Sequence, residues 1–135
     1  MSRSIQDVEG IGPKYAEILR QQGIDTTDKL LHVGGSRAGR MELAEKTSIN
    51  ESRILKWVNM CDLFRIKGVA GQFAELLEGA GVDTVKELRL RNANNLSMQM
   101  SEVNDAKRLC KTTPGAKIVA MWITQARSLE PMVTH

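Results

Sequence analysis

Apolar residues recur at helical spacing along most of this chain, between residues that typically start or stop helices. Pro13 suits a first helical position, Ile18 and Leu19 continue an apolar face, and Gly23 can take the left-handed conformation that ends a helix. The segment therefore predicts one amphipathic helix from Pro13 to the residue before Gly23.

The same signals predict helices along the rest of the chain. They are a short helix that ends over residues 5–9, a helix capped by Asp25 or Thr26 and ended by Gly34-Gly35, one from Ser36 to about Thr47, and one capped by Asn50. The later helical segments are 71–80, 85–91, 96–112 with a possible break near Asn104, and 116–128. Thr84 and Glu87 have capping-box spacing. No segment alternates apolar and polar residues over a sustained run, so the pattern predicts an all-α fold.

A motif occurs twice at a constant offset of 58 positions. Gly10-Ile11-Gly12 is echoed by Gly68-Val69-Ala70, and Gly23-Ile24-Asp25-Thr26 by Gly81-Val82-Asp83-Thr84. Each half also ends in a helix with a tryptophan in its apolar stripe, Trp57 and Trp122, the second displaced by a seven-residue insertion. We predict two related units, residues 1–63 and 64–135, packed together into a compact helical domain.

Composition adds constraints on function. The chain has 135 residues, with 41% hydrophobic and only 4% aromatic content, which suits packed helices. Its net charge of +3 arises in residues 64–135, which hold ten basic and seven acidic residues against nine of each before them. This mild basicity permits nucleic-acid binding without requiring it. Cys61 and Cys110 lack metal-binding spacing, and no signal core or membrane span is evident, which predicts a cytoplasmic protein without disulfides.

The turn around Gly10 is the strongest candidate site. A glycine-hydrophobic-glycine turn between two helices exposes backbone N–H groups at a helix start, where a phosphate can bind. Ile11 would anchor the turn in the core, Pro13 would begin the helix, and Lys14 in its first turn would add positive charge. The alternative is a turn with a purely structural role.

The first copy resembles the helix-hairpin-helix motif, hydrophobic-x-Gly-hydrophobic-Gly-x-x-x-Ala-x-x-hydrophobic. The positions that match are Val8, Gly10, Ile11, Gly12, Ala16 and Leu19. The resemblance implies binding of a DNA or RNA backbone without sequence reading, sometimes through a monovalent cation held by hairpin carbonyls, with no other cofactor. The second copy, Gly68-Val69-Ala70, has alanine for the second glycine, which we expect to tolerate the turn conformation less well, and is flanked by Arg65 and Lys67.

The whole chain is also similar to a family of uncharacterised proteins defined only as a domain of unknown function. The similarity runs through Gly39-Arg40, Trp57-Val58-Asn59, residues 65–69 and the tail 129–134. It implies a fold with helix-hairpin-helix repeats and supplies no activity.

Three further segments have alternative interpretations. Residues 40–58 have the spacing of a helix-turn-helix, which would expose Arg53, Lys56 and Asn59, or of two packed helices. Residues 36–40 place Arg37 and Arg40 at a helix start, either as phosphate ligands or as a solvated cap. The basic run over residues 107–117 either extends a binding surface or is a solvated face.

No pattern typical of an enzyme is present. Asp25 and Asp83 lie in matched turns that capping explains, and the two histidines, His32 and His135, have no evident partner. We therefore predict a non-enzymatic module that binds the phosphate backbone of DNA or RNA. The alternative is a protein–protein scaffold in which both hairpins are structural and a partner contacts a face bearing Met98 and Met100.

Overall fold

The computed structural model describes residues 3–135, and within them the chain is helical. A short 3₁₀ helix, Ile5–Asp7, precedes eight α-helices: α1 (Pro13–Gln21), α2 (Thr27–Gly34), α3 (Arg37–Thr47), α4 (Glu51–Leu63), α5 (Gly71–Gly79), α6 (Val85–Leu88), α7 (Ala93–Lys107) and α8 (Ala116–Arg127). Among these residues β pairing is confined to one isolated bridge between Ser4 and Thr26. The predicted all-α class is confirmed.

The chain forms two compact units. The first runs to Asp62 and also includes Met132–His135, whereas the second is the continuous segment Leu63–Pro131. In the first unit α2 packs against α3, and in the second α7 packs against both α5 and α8. The last four residues join the first unit because the N–H of Thr134 donates to the carbonyl of Gly35 at 2.8 Å.

Side-chain caps explain where most helices begin. Thr26 Oγ1 accepts from the N–H of Lys29, and Ser36 Oγ accepts from that of Gly39. Thr84 Oγ1 accepts from the N–H of Glu87, whose carboxylate lies 3.2 Å from the same hydroxyl. Each cap satisfies a backbone donor that has no partner within the helix. The predicted starts after Thr26, Ser36 and Thr84 are therefore confirmed.

Each unit has a core of aliphatic residues around one tryptophan. Buried in the first unit are Ile5, Leu19, Leu30, Leu43, Ile54 and Trp57, and in the second Leu76, Leu77, Leu88, Leu96, Val119 and Trp122. Both tryptophans are thus core residues, as their apolar stripes predict.

The prediction of a helix over residues 96–112 is wrong at both ends. Asn92 caps α7, so the helix begins at Ala93, and it ends at Lys107 because Arg108 takes a left-handed conformation with φ of 51°. The side chain of Asn104 then holds the backbone of Cys110 through two hydrogen bonds of 2.9 Å. Residues 108–115 therefore form a loop, which we call the α7–α8 loop.

None of the helices found in residues 3–135 combines the length and the apolar character needed to cross a membrane.

Candidate nucleic-acid interface

The turn at Gly10 joins the 3₁₀ helix to α1. The N–H of Val8 donates to Ile5 O at 3.3 Å, and the N–H of Ile11 donates to Val8 O at 3.1 Å. Gly10 has φ of 91°, a conformation that a Cβ disfavours. The Ile11 side chain is buried, so the turn is anchored in the core of the first unit as predicted.

Two backbone donors of this turn are available to a ligand. Among residues 3–135, nothing accepts a hydrogen bond from the N–H of Gly10 or from that of Gly12. Both glycines are exposed, and α1 starts at Pro13, directly after Gly12. Lys14 is exposed in the first turn of α1. The partial positive charge of a helix N-terminus and a lysine thus lie beside unsatisfied donors, an arrangement that favours an anion.

Aromatic contacts hold α4 against this turn. Nε1 of Trp57 lies 3.3 Å from the point that a Cβ on Gly10 would occupy. The Tyr15 ring, in α1, packs edge-on to Trp57 with centroids 5.1 Å apart, and the Arg53 guanidinium lies 5.3 Å from the Tyr15 centroid. The cation over the ring fixes Arg53 near the start of α1.

A cleft of about 600 Å³ opens where the turn meets the first turns of α4. Its lining residues are Glu9, Gly10, Asn50, Ser52, Arg53, Lys56 and Trp57. Arg53 and Lys56 give it two cations and Glu9 one carboxylate, so its net charge is positive. We refer to these residues as the first cleft.

Sequence reasoning placed Arg53 and Lys56 on a possible recognition helix and not beside Gly10. The signal for Arg53 is its position four residues before Trp57, since residues four apart share one face of a helix. Lys56, one residue before Trp57, has no such signal. The helix-turn-helix interpretation is weakened in one respect, because Asn59 is half-buried and not exposed, and its Oδ1 is buried without a hydrogen-bond partner.

Arg40 is the clearest correction to the predicted phosphate ligands. Its side chain is only 1% exposed, and Nη1 donates to the carbonyls of Gly34 and Gly35 at 2.9 and 3.0 Å. Nη2 donates to Thr134 O at 2.6 Å, and Nε pairs with Glu51 at 3.2 Å. A guanidinium with these partners is a structural residue of the first unit and not a ligand for an external phosphate.

Arg37 differs from Arg40 because it is exposed, as the first residue of α3. It does not line the first cleft. The glycine two residues later serves packing, since a Cβ on Gly39 would lie 2.0 Å from Val33 O. Residues 36–40 therefore form a capped helix start with one exposed arginine, Arg37.

The turn at Gly68 has closely similar local geometry. Gly68 has φ of 94°, the N–H of Val69 donates to Ile66 O at 3.2 Å, and Val69 is buried. Nε1 of Trp122 lies 3.2 Å from the Cβ position of Gly68. The expectation that Ala70 strains this turn is wrong, because Ala70 has φ of −102°, extended backbone that any residue adopts.

The second turn differs from the first because a side chain of its own unit forms hydrogen bonds with the backbone of Lys67. Gln125 in α8 accepts from the N–H of Lys67 through Oε1 at 2.8 Å and donates Nε2 to Lys67 O at 3.3 Å. Arg65 is half-buried, whereas the side chain of Lys67 is exposed. Part of this turn's hydrogen-bonding capacity is thus satisfied within the second unit.

Acidic, histidine and cysteine side chains do not form a metal site in the part of the chain that the structure describes, where no three of them cluster. His32 and His135 are both exposed.

Comparisons with known proteins identify a family and no further relative. No curated protein and no solved structure matches the chain. Residues 9–129 match the family described as Domain of unknown function (DUF4332), and this match includes the turns at Gly10 and Gly68 and both tryptophan-bearing helices. The chain therefore belongs to the DUF4332 family.

Proposed function

We propose that this protein is a non-enzymatic nucleic-acid-binding module whose first unit holds a phosphate of the DNA or RNA backbone. In this proposal the turns at Gly10 and Gly68 are the hairpins of two helix-hairpin-helix units. The observation that carries it is the first cleft, where the unpartnered N–H of Gly10 lies beside Arg53 and Lys56.

The chemistry of this surface favours a phosphate. The N–H groups of Gly10 and Gly12 supply donors, the N-terminus of α1 supplies partial positive charge, and Lys14 supplies a full charge. Arg53 is held by the Tyr15 ring, so less conformational freedom is lost when it binds. Each of these contacts goes to a phosphate oxygen and none to a base edge, so we expect low sequence specificity.

The second turn makes a smaller contribution in this proposal. The exposed Lys67 and the half-buried Arg65 add charge, and buried Val69 holds Gly68 in place. Arg37 adds charge from the start of α3. A monovalent cation bound by carbonyls of the first turn is compatible with this role.

The alternative scaffold loses one of its two predicted contact residues. Met100 is fully buried in the second unit, whereas Met98 is 63% exposed. Without Met100, the predicted face keeps Met98 as its exposed methionine, and we retain the scaffold as an outcome of the experiment below.

The test is a fluorescence polarisation titration of labelled random-sequence duplex DNA, single-stranded DNA and RNA over a series of salt concentrations. Neutralising one phosphate contact should reduce the slope of log affinity against log salt by about 0.9. We expect this change for Lys14→Gln and for Arg53→Gln. Lys29→Gln is the matched control, because Lys29 is exposed and pairs with Asp25 at 2.8 Å in α2.

Two results would overturn the proposal. One is no binding to any of the three nucleic acids at about 50 mM salt and micromolar protein, where non-specific binders are strongest. This result would favour the scaffold. The other is a slope that changes equally for Lys14→Gln, Arg53→Gln and Lys29→Gln, which would show an effect of net charge and no defined site.

A further inference from the structure

The second unit contains a cleft that the proposed function does not use. It has a volume of about 460 Å³ and lies between the start of α5 and the α7–α8 loop. Its lining residues are Gln72, Phe73, Arg108, Leu109, Cys110, Lys111 and Thr112. We refer to it as the second cleft.

Two cations of this cleft lack a carboxylate partner. Within residues 3–135, neither Arg108 nor Lys111 forms an ion pair, although both are exposed. Lys46, by contrast, pairs with the carboxylate of Glu42 four residues before it at 2.9 Å. Partial burial raises the pKa of Cys110, and the charge of Glu75, which is not a lining residue, raises it further. The lining residues include two cations and no carboxylate, so the net charge of the second cleft is positive.

The loop that carries these cations has a constrained backbone. The N–H of Arg108 donates to Asn104 O at 2.7 Å, and the Asn104 amide holds both the N–H and the carbonyl of Cys110. Ser97 Oγ donates to Pro114 O at 2.9 Å at the other end of the loop. The backbone that carries Arg108 and Lys111 is therefore constrained, so less backbone entropy is lost when the loop binds an anion.

The loop carries cations, whereas the second unit has uncharged residues at the positions that correspond to Arg53, Lys56 and Lys14. Counted back from Trp122, the positions that correspond to Arg53 and Lys56 hold Ile118 and Met121, exposed by 44% and 56%. Gln72 stands 58 positions after Lys14. The first unit joins α3 to α4 by three residues only, so the longer α7–α8 loop with Arg108 and Lys111 has no counterpart there.

We infer that the second cleft is a further binding site for a backbone phosphate of nucleic acid, held by Arg108 and Lys111. This inference rests on the proposed function and adds a second contact region, in the second unit. The bound group is a phosphate diester, which accepts charge-assisted hydrogen bonds from both side chains. The ring of Phe73 and the side chain of Leu109 give the same cleft an apolar wall against which a sugar can pack.

One test is the salt dependence of binding by the double variant Arg108→Gln/Lys111→Gln. Loss of two phosphate contacts should reduce the slope of log affinity against log salt by about 1.8. The matched control is Lys86→Gln/Arg127→Gln, which removes the same charge from two exposed residues of the same unit outside the cleft. An equal change of slope in both double variants would overturn the inference.

Cys110 provides a second, local readout because it lines the cleft. Iodoacetamide is uncharged, so its rate of reaction with Cys110 reports access to the cleft, and buried Cys61 serves as the unreactive reference. We expect saturating duplex DNA to slow alkylation of Cys110 in the wild-type protein and to have no such effect in Arg108→Gln/Lys111→Gln. Unchanged alkylation in wild-type protein with bound DNA would overturn the inference.

The outcomes separate this inference from the proposed function. If Lys14→Gln weakens binding while Arg108→Gln/Lys111→Gln matches its control, the second site is refuted and the proposed function stands. If the wild-type protein binds no nucleic acid, the proposed function is refuted, and the inference that rests on it is refuted as well. Protection of Cys110 by inorganic phosphate but not by DNA would assign the cleft to a small anion and overturn the nucleic-acid site.

Discussion

Nε1 of Trp57 lies 3.3 Å from the point where a Cβ on Gly10 would be, so a side chain at this position would have to displace the indole by a few tenths of an ångström. Gly10 also has φ of 91°, in the region that L side chains rarely adopt. Two independent features therefore favour glycine at this position, the left-handed backbone and the close approach of the indole.

Gly10→Ala should lower the free energy of unfolding by about 1–2 kcal/mol, from the left-handed backbone alone. The matched control is Gly12→Ala, because Gly12 has φ of −81° and a Cβ there meets no atom within 4 Å. We expect Gly12→Ala to lower the unfolding free energy by less than Gly10→Ala does, because the only cost is that of alanine in place of glycine at the N-cap of α1. Urea denaturation measures both values, and equal losses in the two variants would contradict this account of Gly10.

Arg40→Met should be strongly destabilising. It removes the donors to Gly34 O, Gly35 O and Thr134 O and leaves Glu51 without its partner. Each buried acceptor left without its donor typically costs about 1–3 kcal/mol. The control is Arg37→Met in the first turn of the same helix, which is exposed and should be close to neutral. Thermal and urea unfolding would show the contrast, and a stable Arg40→Met protein would refute the structural role.

The two cysteines should differ in reactivity. Burial raises the pKa of the Cys61 thiol, and the charges of Asp28 and Asp62 raise it further. Partial burial and the charge of Glu75 also raise the pKa of Cys110, which is less enclosed. Since the thiolate is the nucleophile, alkylation of Cys110 should still be accelerating with pH above about 8.5, the ordinary cysteine pKa. Mass spectrometry of the native protein should find Cys110 modified before Cys61.

The Asp25 carboxylate should titrate at low pH. The hydrogen bond and charge of Lys29 lower the pKa of Asp25 below its ordinary value. A lowered pKa means that the pair stabilises the fold above the unfolded-state pKa, and this contribution disappears as pH falls through the folded-state pKa. NMR titration should return the Asp25 midpoint toward normal in Lys29→Met. Because both side chains are exposed, added salt should also move the Asp25 midpoint toward its ordinary value.

Helix boundaries were predictable where a side chain caps the backbone locally. Ser36 and Thr84 each accept a hydrogen bond from a backbone N–H three residues later, and this spacing can be recognised in the sequence. The end of α7 was not predictable, because Arg108 takes a left-handed conformation that is usual for glycine. The contacts of Asn104 with Cys110 stabilise the loop that follows. A loop held by one amide side chain has no periodic signature.

The composition of the candidate site was only partly predictable for a related reason. Ile11 and the exposed Lys14 follow from the turn motif alone. Arg40 was misassigned because positive charge in a sequence does not show whether carbonyl acceptors surround it after folding. Arg53 joins the site only through Tyr15 and Trp57, which are contacts across separate helices. Residues brought together by tertiary packing need coordinates to be recognised.

The hydrogen bond from Arg40 to Thr134 O has a consequence for the order in which the protein is completed during translation. The ribosome adds Thr134 ninety-four residues after Arg40, when all of Leu63–Pro131 has already been made. The second unit is one uninterrupted stretch, whereas the Arg40 network of the first unit needs residues from both sides of that stretch. The unit that begins first is thus the last to have all of its residues synthesised.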